Sequence, residues 1–143
     1  MATPYKDIYS RVLFRFSDTK LAKLYPSEKE MLLYKYMNSA ISDFATKCDE
    51  DLLSRNDELE CFDNDLSDEV QEILALGMSY YWLSAQILNS ELLKNKLSTK
   101  DYTYFSPANL MREVSALRTS VHTEYKHRII NYTYDHGNIS MED

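Results

Sequence analysis

The sequence predicts an all-α domain: four main helices in a small bundle, a long acidic loop between the second and third, and an extended C-terminal tail. Three observations carry that prediction. Only two glycines and three prolines occur in 143 residues. So few leave little room for tight hairpins or phosphate-cradling loops, and favour long helices with few turns. From Ile73 to Ser90 the chain carries no charge (ILALGMSYYWLSAQILNS), between acidic Glu72 and Glu91. Such a piece is too apolar all round to lie on a surface and reads as the buried centre of a helical domain. Before and after it, apolar residues recur at three- and four-residue spacing. With 44% hydrophobic and 27% charged residues the composition is globular, and one domain of this length buries about two-thirds of its unfolded surface.

Each element has its own signal. Thr3 is placed to cap a first helix with Pro4 at its first position, where a missing N–H costs nothing. Ile8, Tyr9, Val12, Leu13 and Phe16 then share one face. Ser17 and Asp18 interrupt it, and TKLAKLY forms at most a short helical turn before Pro26. Ser27 followed by Glu30 is a capping box, and Leu33, Met37, Ala40, Ile41, Phe44 and Cys48 make the stripe of the second helix. The segment from Cys48 to Ser67 (CDEDLLSRNDELECFDNDLS) has no helical period. Its Leu52, Leu59, Cys61 and Phe62 are available to pin the loop or to form a short strand pair.

Ser67 caps the central helix, with Asp68 and Glu69 at the positive end of its dipole. A polar joint, ELLKNKLSTKDYTYF, follows Ser90. Ser106–Pro107 repeats the cap-plus-proline signal, and Leu110, Val114, Leu117, Val121, Tyr125 and Ile129 hold the period of the last helix to about Asn131. The end, YTYDHGNISMED, loses that period, and Gly137 is a helix stop. This divides the chain into a helical domain, 1–131, and a tail, 132–143, extended or disordered until something binds it.

Charge is concentrated in one place. The net charge is −7, and the stretch from Cys48 to Glu72 holds eleven acidic residues against Arg55 alone. That balance disfavours a nucleic-acid binder, whose phosphate contacts need clustered Lys and Arg. Cys48 and Cys61 have no CxxC spacing and no neighbouring histidine, and read as reduced thiols of a cytosolic protein. MATPYKDIYSR has no apolar core of a signal peptide. The uncharged stretch ends its apolar run at Leu88 and includes Gly77, Ser79, Ser84 and Gln86, short of the ~20 apolar residues of a membrane span. No membrane association is expected.

The candidate chemistry is thin. Asp63, Asp65 and Ser67 have every-other-residue spacing, but an EF-hand needs Gly and Glu where Asp68 and Leu74 stand. Glu58, Glu60 and Asp63 have no sign of the separated environments an acid/base pair requires. His122 and His127 lie about 140° apart around one helix and cannot share a metal as an i, i+4 pair does; His136 is in the tail. No GxSxG, GxGxxG or GxxxxGK[ST] occurs. No enzymatic activity, cofactor or metal is expected. The acidic segment, with Asp49, Glu50, Asp51, Asp57, Glu58, Glu60, Asp63 and Asp65, is a solvated loop, a docking surface for a basic neighbour, or a wall that repels DNA.

Two features suggest partners. Tyr80, Tyr81 and Trp82 are consecutive on the central helix and point to different sides, so either neighbours surround that helix or one edge meets another subunit. Tyr132, Tyr134, Ile139 and Met141 in the tail alternate at roughly strand-like spacing; such a segment adds to a partner's sheet edge or fills a groove, or is simply disordered. The abundance of tyrosine, 12 residues, suits surfaces buried on one side and wet on the other.

Three phrases, YKDIYSRVLFRFSDTKL, DLSDEVQEILALGMSYYWLSAQILNSELL and KLSTKDYTYFSPANLMREVSALR, carry a resemblance. The chain resembles the small head–tail connector (adaptor, or neck) proteins of long-tailed bacteriophages of Gram-positive hosts. The resemblance implies a virion structural protein, made in the host cytoplasm and located at the neck. It implies an all-helical subunit that assembles with copies of itself into a ring, expected to be dodecameric, on the portal protein. Such a ring extends the DNA channel, lets DNA pass without specific binding, and receives downstream neck or tail proteins. A chain terminus commonly reaches into the portal, which suits the tail. The alternative from the residues alone is a small acidic regulatory protein that binds a basic partner through Cys48–Glu72.

Overall fold

The computed structural model describes residues 2–16, 29–96 and 108–136. Among them are four α-helices: α1 (Tyr5–Phe16), α2 (Lys29–Phe44), α3 (Asp68–Lys96) and α4 (Ala108–Asp135). A small antiparallel sheet is built from β1 (Thr3–Pro4), β2 (Arg55–Asn56) and β3 (Cys61–Phe62), in the order β1-β3-β2. The all-α class holds. The short turn expected before Pro26, the capping box that begins at Ser27 and the cap at Ser106–Pro107 lie outside the described residues, as do the side chains of Phe16 and Leu110.

Helix α3 is the axis against which α1, α2 and α4 all pack. The first part of its uncharged stretch behaves as expected, every residue from Ile73 to Ser79 being buried, as is Val70. Beyond it Trp82 and Leu83 are buried, but Tyr80, Tyr81 and Ser84 to Ile87 are half-buried and Leu88 is 56% exposed. Leu33, Met37, Ala40, Ile41 and Phe44 face it from α2, and Ile8, Tyr9 and Val12 from α1. From α4 come Val114, Val121, Tyr125 and Ile129. Gly77 sits where α2 and α4 leave α3 no room for a side chain. A Cβ there would stand 2.7 Å from the Cβ of Ala40 and 2.8 Å from the Tyr125 ring, so only a residue without a side chain fits between α2 and α4.

Helix α3 opens as its sequence predicts, with Ser67 Oγ accepting the amide of Val70 at 3.3 Å. It then continues through Lys96, so the first part of the joint after Ser90 is still helix. Arg11 and Arg15 of α1 reach its first turns. Arg11 pairs with Asp68 at 2.9 Å and with Glu72 at 3.2 Å, and Arg15 also binds Glu72.

Three expectations need correction. Thr3 does not cap α1. Its hydroxyl donates to the carbonyl of Asn64 at 2.9 Å and accepts the amide of Leu66 at 2.8 Å, which fastens the chain start to the acidic segment. Pro4, lacking an N–H, occupies an edge strand where none is needed. Leu59 does not pin the loop; it is 73% exposed, while Leu52, Phe62 and Leu66 are buried. The tail does not begin at Tyr132, because α4 runs through Asp135. Tyr132 lies seven residues after Tyr125 and three after Ile129, on the face those residues already bury, and it is fully buried.

The acidic segment is therefore a folded cap on the bundle. Asp51 accepts the amides of Leu53 at 2.9 Å and Ser54 at 3.2 Å, an Asx turn. Glu50 accepts both the amide and the hydroxyl of Ser67, at 2.9 and 2.8 Å. Strands β2 and β3 form a hairpin whose loop is Asp57–Glu60, and Glu60 adopts φ 53° to close it.

Candidate functional site

A groove of about 470 Å³ lies between α2, α3 and α4. Its floor is aromatic. Tyr81 and Tyr125 both donate their hydroxyls to one carboxylate oxygen of Asp43, at 2.6 and 2.9 Å. Tyr125 is buried, whereas Tyr81 is half-buried at the groove wall. Burial, with the nearby Asp43 charge, pushes both phenols well above their ordinary range, so they stay neutral donors. Tyr80 lies edge-on to Tyr81 at 5.2 Å and stacks on His122 at 4.6 Å. Arg118 lies 5.2 Å from the Tyr80 ring centroid and donates to Ser84 at 2.8 Å, holding that ring in place. Exposed Lys47 and Lys126 form the rim, together with Ile130, which is 51% exposed.

A second surface feature is the hairpin tip. Asn56 accepts the amide of Leu59 at 3.1 Å, and the backbone of Tyr5 donates to the carbonyl of Glu60 at 2.9 Å. The Tyr5 hydroxyl donates to Asp57 at 2.6 Å and holds that carboxyl below the usual carboxylate range. The Tyr34 ring packs beside that of Tyr5 at 5.9 Å, and Arg55 lies 5.8 Å from the Tyr34 ring centroid. The result is a fixed loop that presents Leu59 between exposed carboxylates. Leu53, 71% exposed, lies just outside β2.

At the end of α4, the Tyr132 ring packs edge-on against Phe44 at 5.1 Å and stacks on His136 at 3.9 Å. Its hydroxyl accepts the amide of Asp49 at 3.0 Å and contacts Cys48 Sγ at 3.7 Å. His136 sits between two carboxylates, with Nδ1 at 3.0 Å from Asp49 and Nε2 at 3.3 Å from Glu69. This ties α4 to the acidic segment and to the first turn of α3.

The residues expected to meet partners thus separate. Tyr80 and Tyr81 line the groove, whereas Trp82, turned about 100° further round the helix, is 1% exposed and belongs to the core. Tyr132 is core as well and cannot engage a partner; Tyr134 is 59% exposed on the outer face of α4. Ile139 and Met141 lie outside the described residues. Of the acidic set, Asp49, Glu50, Asp51, Asp57 and Asp63 hold groups of this chain; Asp63 accepts the Ser54 hydroxyl at 2.7 Å. Glu58, Glu60 and Asp65 are exposed.

Asp43 and Lys126 went unremarked in the sequence. Asp43 lies at the margin of the α2 stripe, and its tyrosine partners are 38 and 82 residues away, with no local sign of the pairing. Both cysteines are free thiols, and burial raises that of Cys48. Among the described residues no group of three or more His, Cys, Asp or Glu side chains is placed to hold a metal ion, and no helix is long and apolar enough to cross a membrane.

The described residues define an all-α module whose most developed surface features are an aromatic groove with a basic rim and an acidic hairpin with an apolar tip. No family model, curated protein or solved structure matches the chain.

Proposed function

We propose that this chain is a virion structural protein, a head–tail connector that assembles as a ring on the portal, extends the DNA channel and prepares the head for the tail. The reading rests on the resemblance of its sequence phrases to such connectors. The observation that carries it furthest is the pair of unlike surfaces on one small bundle: a groove of hydrogen-bonded tyrosines and a preformed acidic hairpin. A ring subunit buries two different flanks against its neighbours, and unlike, preorganised flanks suit that role. Its action is assembly, without a reaction or a cofactor. The test is to mix the purified protein with the portal protein encoded by the same genome and image the product by electron microscopy. Added ring density at one end of the portal is expected. Absence of binding at micromolar concentrations of both proteins refutes the proposal.

The exposed Leu53 and Leu59 among carboxylates favour one other reading, a regulator that captures a basic protein through the same hairpin. Such a regulator stays monomeric, ignores the portal, and binds its target in a manner that weakens steeply with salt.

A further inference from the structure

We infer that the hairpin tip Asp57–Glu60 of one copy seats in the Tyr80–Tyr81–Lys126 groove of the next copy, so that subunits join head to tail. The inference rests on the ring reading and specifies the contact that ring would use.

The two surfaces are complementary in charge and in shape. The tip carries Asp57, Glu58 and Glu60 around a leucine that is 73% exposed. The groove carries Lys47 and Lys126 at its rim, and its single carboxylate, Asp43, already accepts two tyrosine hydroxyls. A cavity of about 470 Å³ takes one leucine side chain with flanking backbone. Covering that leucine removes apolar surface from water, and tyrosines like those of the groove are enriched among the residues that carry most of an interface's binding energy.

Both surfaces are also rigid beforehand. The tip is held by the Asn56 side chain and by the amide and hydroxyl of Tyr5. The groove is held by the Asp43 bonds and by Arg118. Little ordering remains to be done on contact.

One molecule cannot satisfy both ends. Tyr34, beside the hairpin where Arg55 lies over its ring, and Asp43, in the groove, are nine residues apart on α2, about 14 Å along the helix axis and about 180° around it. The anchored tip therefore faces away from its own groove. A contact between unlike patches is heterologous, and it leaves each pair of subunits with one open tip and one open groove. Such contacts close into rings when the rotation allows.

The experiment uses two full-length variants with exposed substitutions, Leu59→Lys, which spoils the tip, and Lys126→Glu, which spoils the groove. Each is followed by sedimentation velocity and by amide chemical shifts up to about 1 mM. Wild type should self-associate, with shifts at both the tip and the groove, and either variant alone should associate about 30-fold more weakly. Mixing the two should give a 1:1 dimer and nothing larger, since only the intact tip of one and the intact groove of the other remain. A wild type that shows no concentration-dependent shift, variants that associate undiminished, or a mixture that stays monomeric would each overturn the contact. Portal binding is scored separately. Variants that still form the added ring on the portal leave the connector reading standing and remove this interface, whereas loss of portal binding by every form, wild type included, removes the connector reading itself.

Discussion

Replacing Gly77 by alanine sets two opposing effects of known size against each other. Inside a helix alanine is favoured over glycine by about 1 kcal/mol. Against that, the new Cβ would lie 2.7 Å from Ala40 Cβ and 2.8 Å from the Tyr125 ring, where carbons at rest stay about 3.5–4.0 Å apart. Ala40 has no torsion that could move its methyl aside, so α2 itself must retreat. Tyr125 is 4% exposed and bonded to Asp43, so its ring can turn away only by giving up that bond. Overpacking of this kind costs about 1–3 kcal/mol, and the bond to a carboxylate about 1.5 kcal/mol more. Less the helix gain, the net loss is about 1.5–3.5 kcal/mol. For a chain of 143 residues the entropy of melting is about 0.3 kcal/mol/K, so Tm should fall by about 5–12 °C.

Urea and thermal unfolding followed by circular dichroism measure both quantities, with an unchanged m-value confirming that the change is in stability. Adding Ala40→Gly removes one of the two clashes, so the double variant should be less destabilised than the sum of the single effects by about 1 kcal/mol. A Gly77→Ala protein as stable as wild type would refute the reasoning, because the three helices would then spread at a cost no greater than the helix gain of about 1 kcal/mol.

Other expectations follow from the same contacts. Ser67→Ala removes the cap of α3 and should cost about 1 kcal/mol in urea unfolding. A deletion of residues 132–143 should destabilise the protein severely in urea unfolding, since losing the buried Tyr132 alone costs about 3–5 kcal/mol. Tyr5, Tyr81, Tyr125 and Tyr132 hold their protons above the ordinary phenol value chiefly because they are buried, so the native state keeps protons the unfolded chain releases. Their contribution is complete below about pH 10 and is lost as pH rises beyond it. Phenolate absorbance from these four should thus appear only together with loss of helix. The Asp57 carboxyl is lowered by the Tyr5 hydroxyl, so its contribution is present above the ordinary carboxylate value and lost as pH falls through the lowered one. Tyr5→Phe should move the Asp57 titration upward in a carboxyl-carbon NMR experiment, and an unmoved titration would count against the bond.

The helices were legible because α3 is buried without a break from Ile73 to Ser79 and the stripes on α1, α2 and α4 keep one period. The end of α4 was harder for a physical reason. In the run Tyr132-Thr133-Tyr134 the two tyrosines fit a period of two as well as they fit a helix, and a run that short cannot choose. What decides is the residue three earlier: Ile129 is buried, and Tyr132 follows it onto the same face. The hydrogen-bonded carboxylates differ. Asp51, two residues before Leu53, is in place for an Asx turn, a local signal that neither charge nor metal-ligand spacing reveals. The Asp43 cluster has no local signal at all, since it exists only once α2, α3 and α4 are packed.

That internal use of carboxylates narrows what the acidic segment can do outside the molecule. Asp68 and Glu72 are paired with Arg11 and Arg15, and Glu50 and Asp51 serve backbone amides. The exposed remainder centres on the hairpin tip with Glu58 and Glu60. A tip seated in a neighbour's groove cannot also line a DNA channel, so the two uses exclude each other. They differ in a measurable way. If the tip is the contact, self-association weakens with added salt and weakens further in Glu58→Lys, because rim charges on both sides are screened or reversed. If the tip faces the channel, self-association is indifferent to that substitution, and the charge acts only on passing DNA.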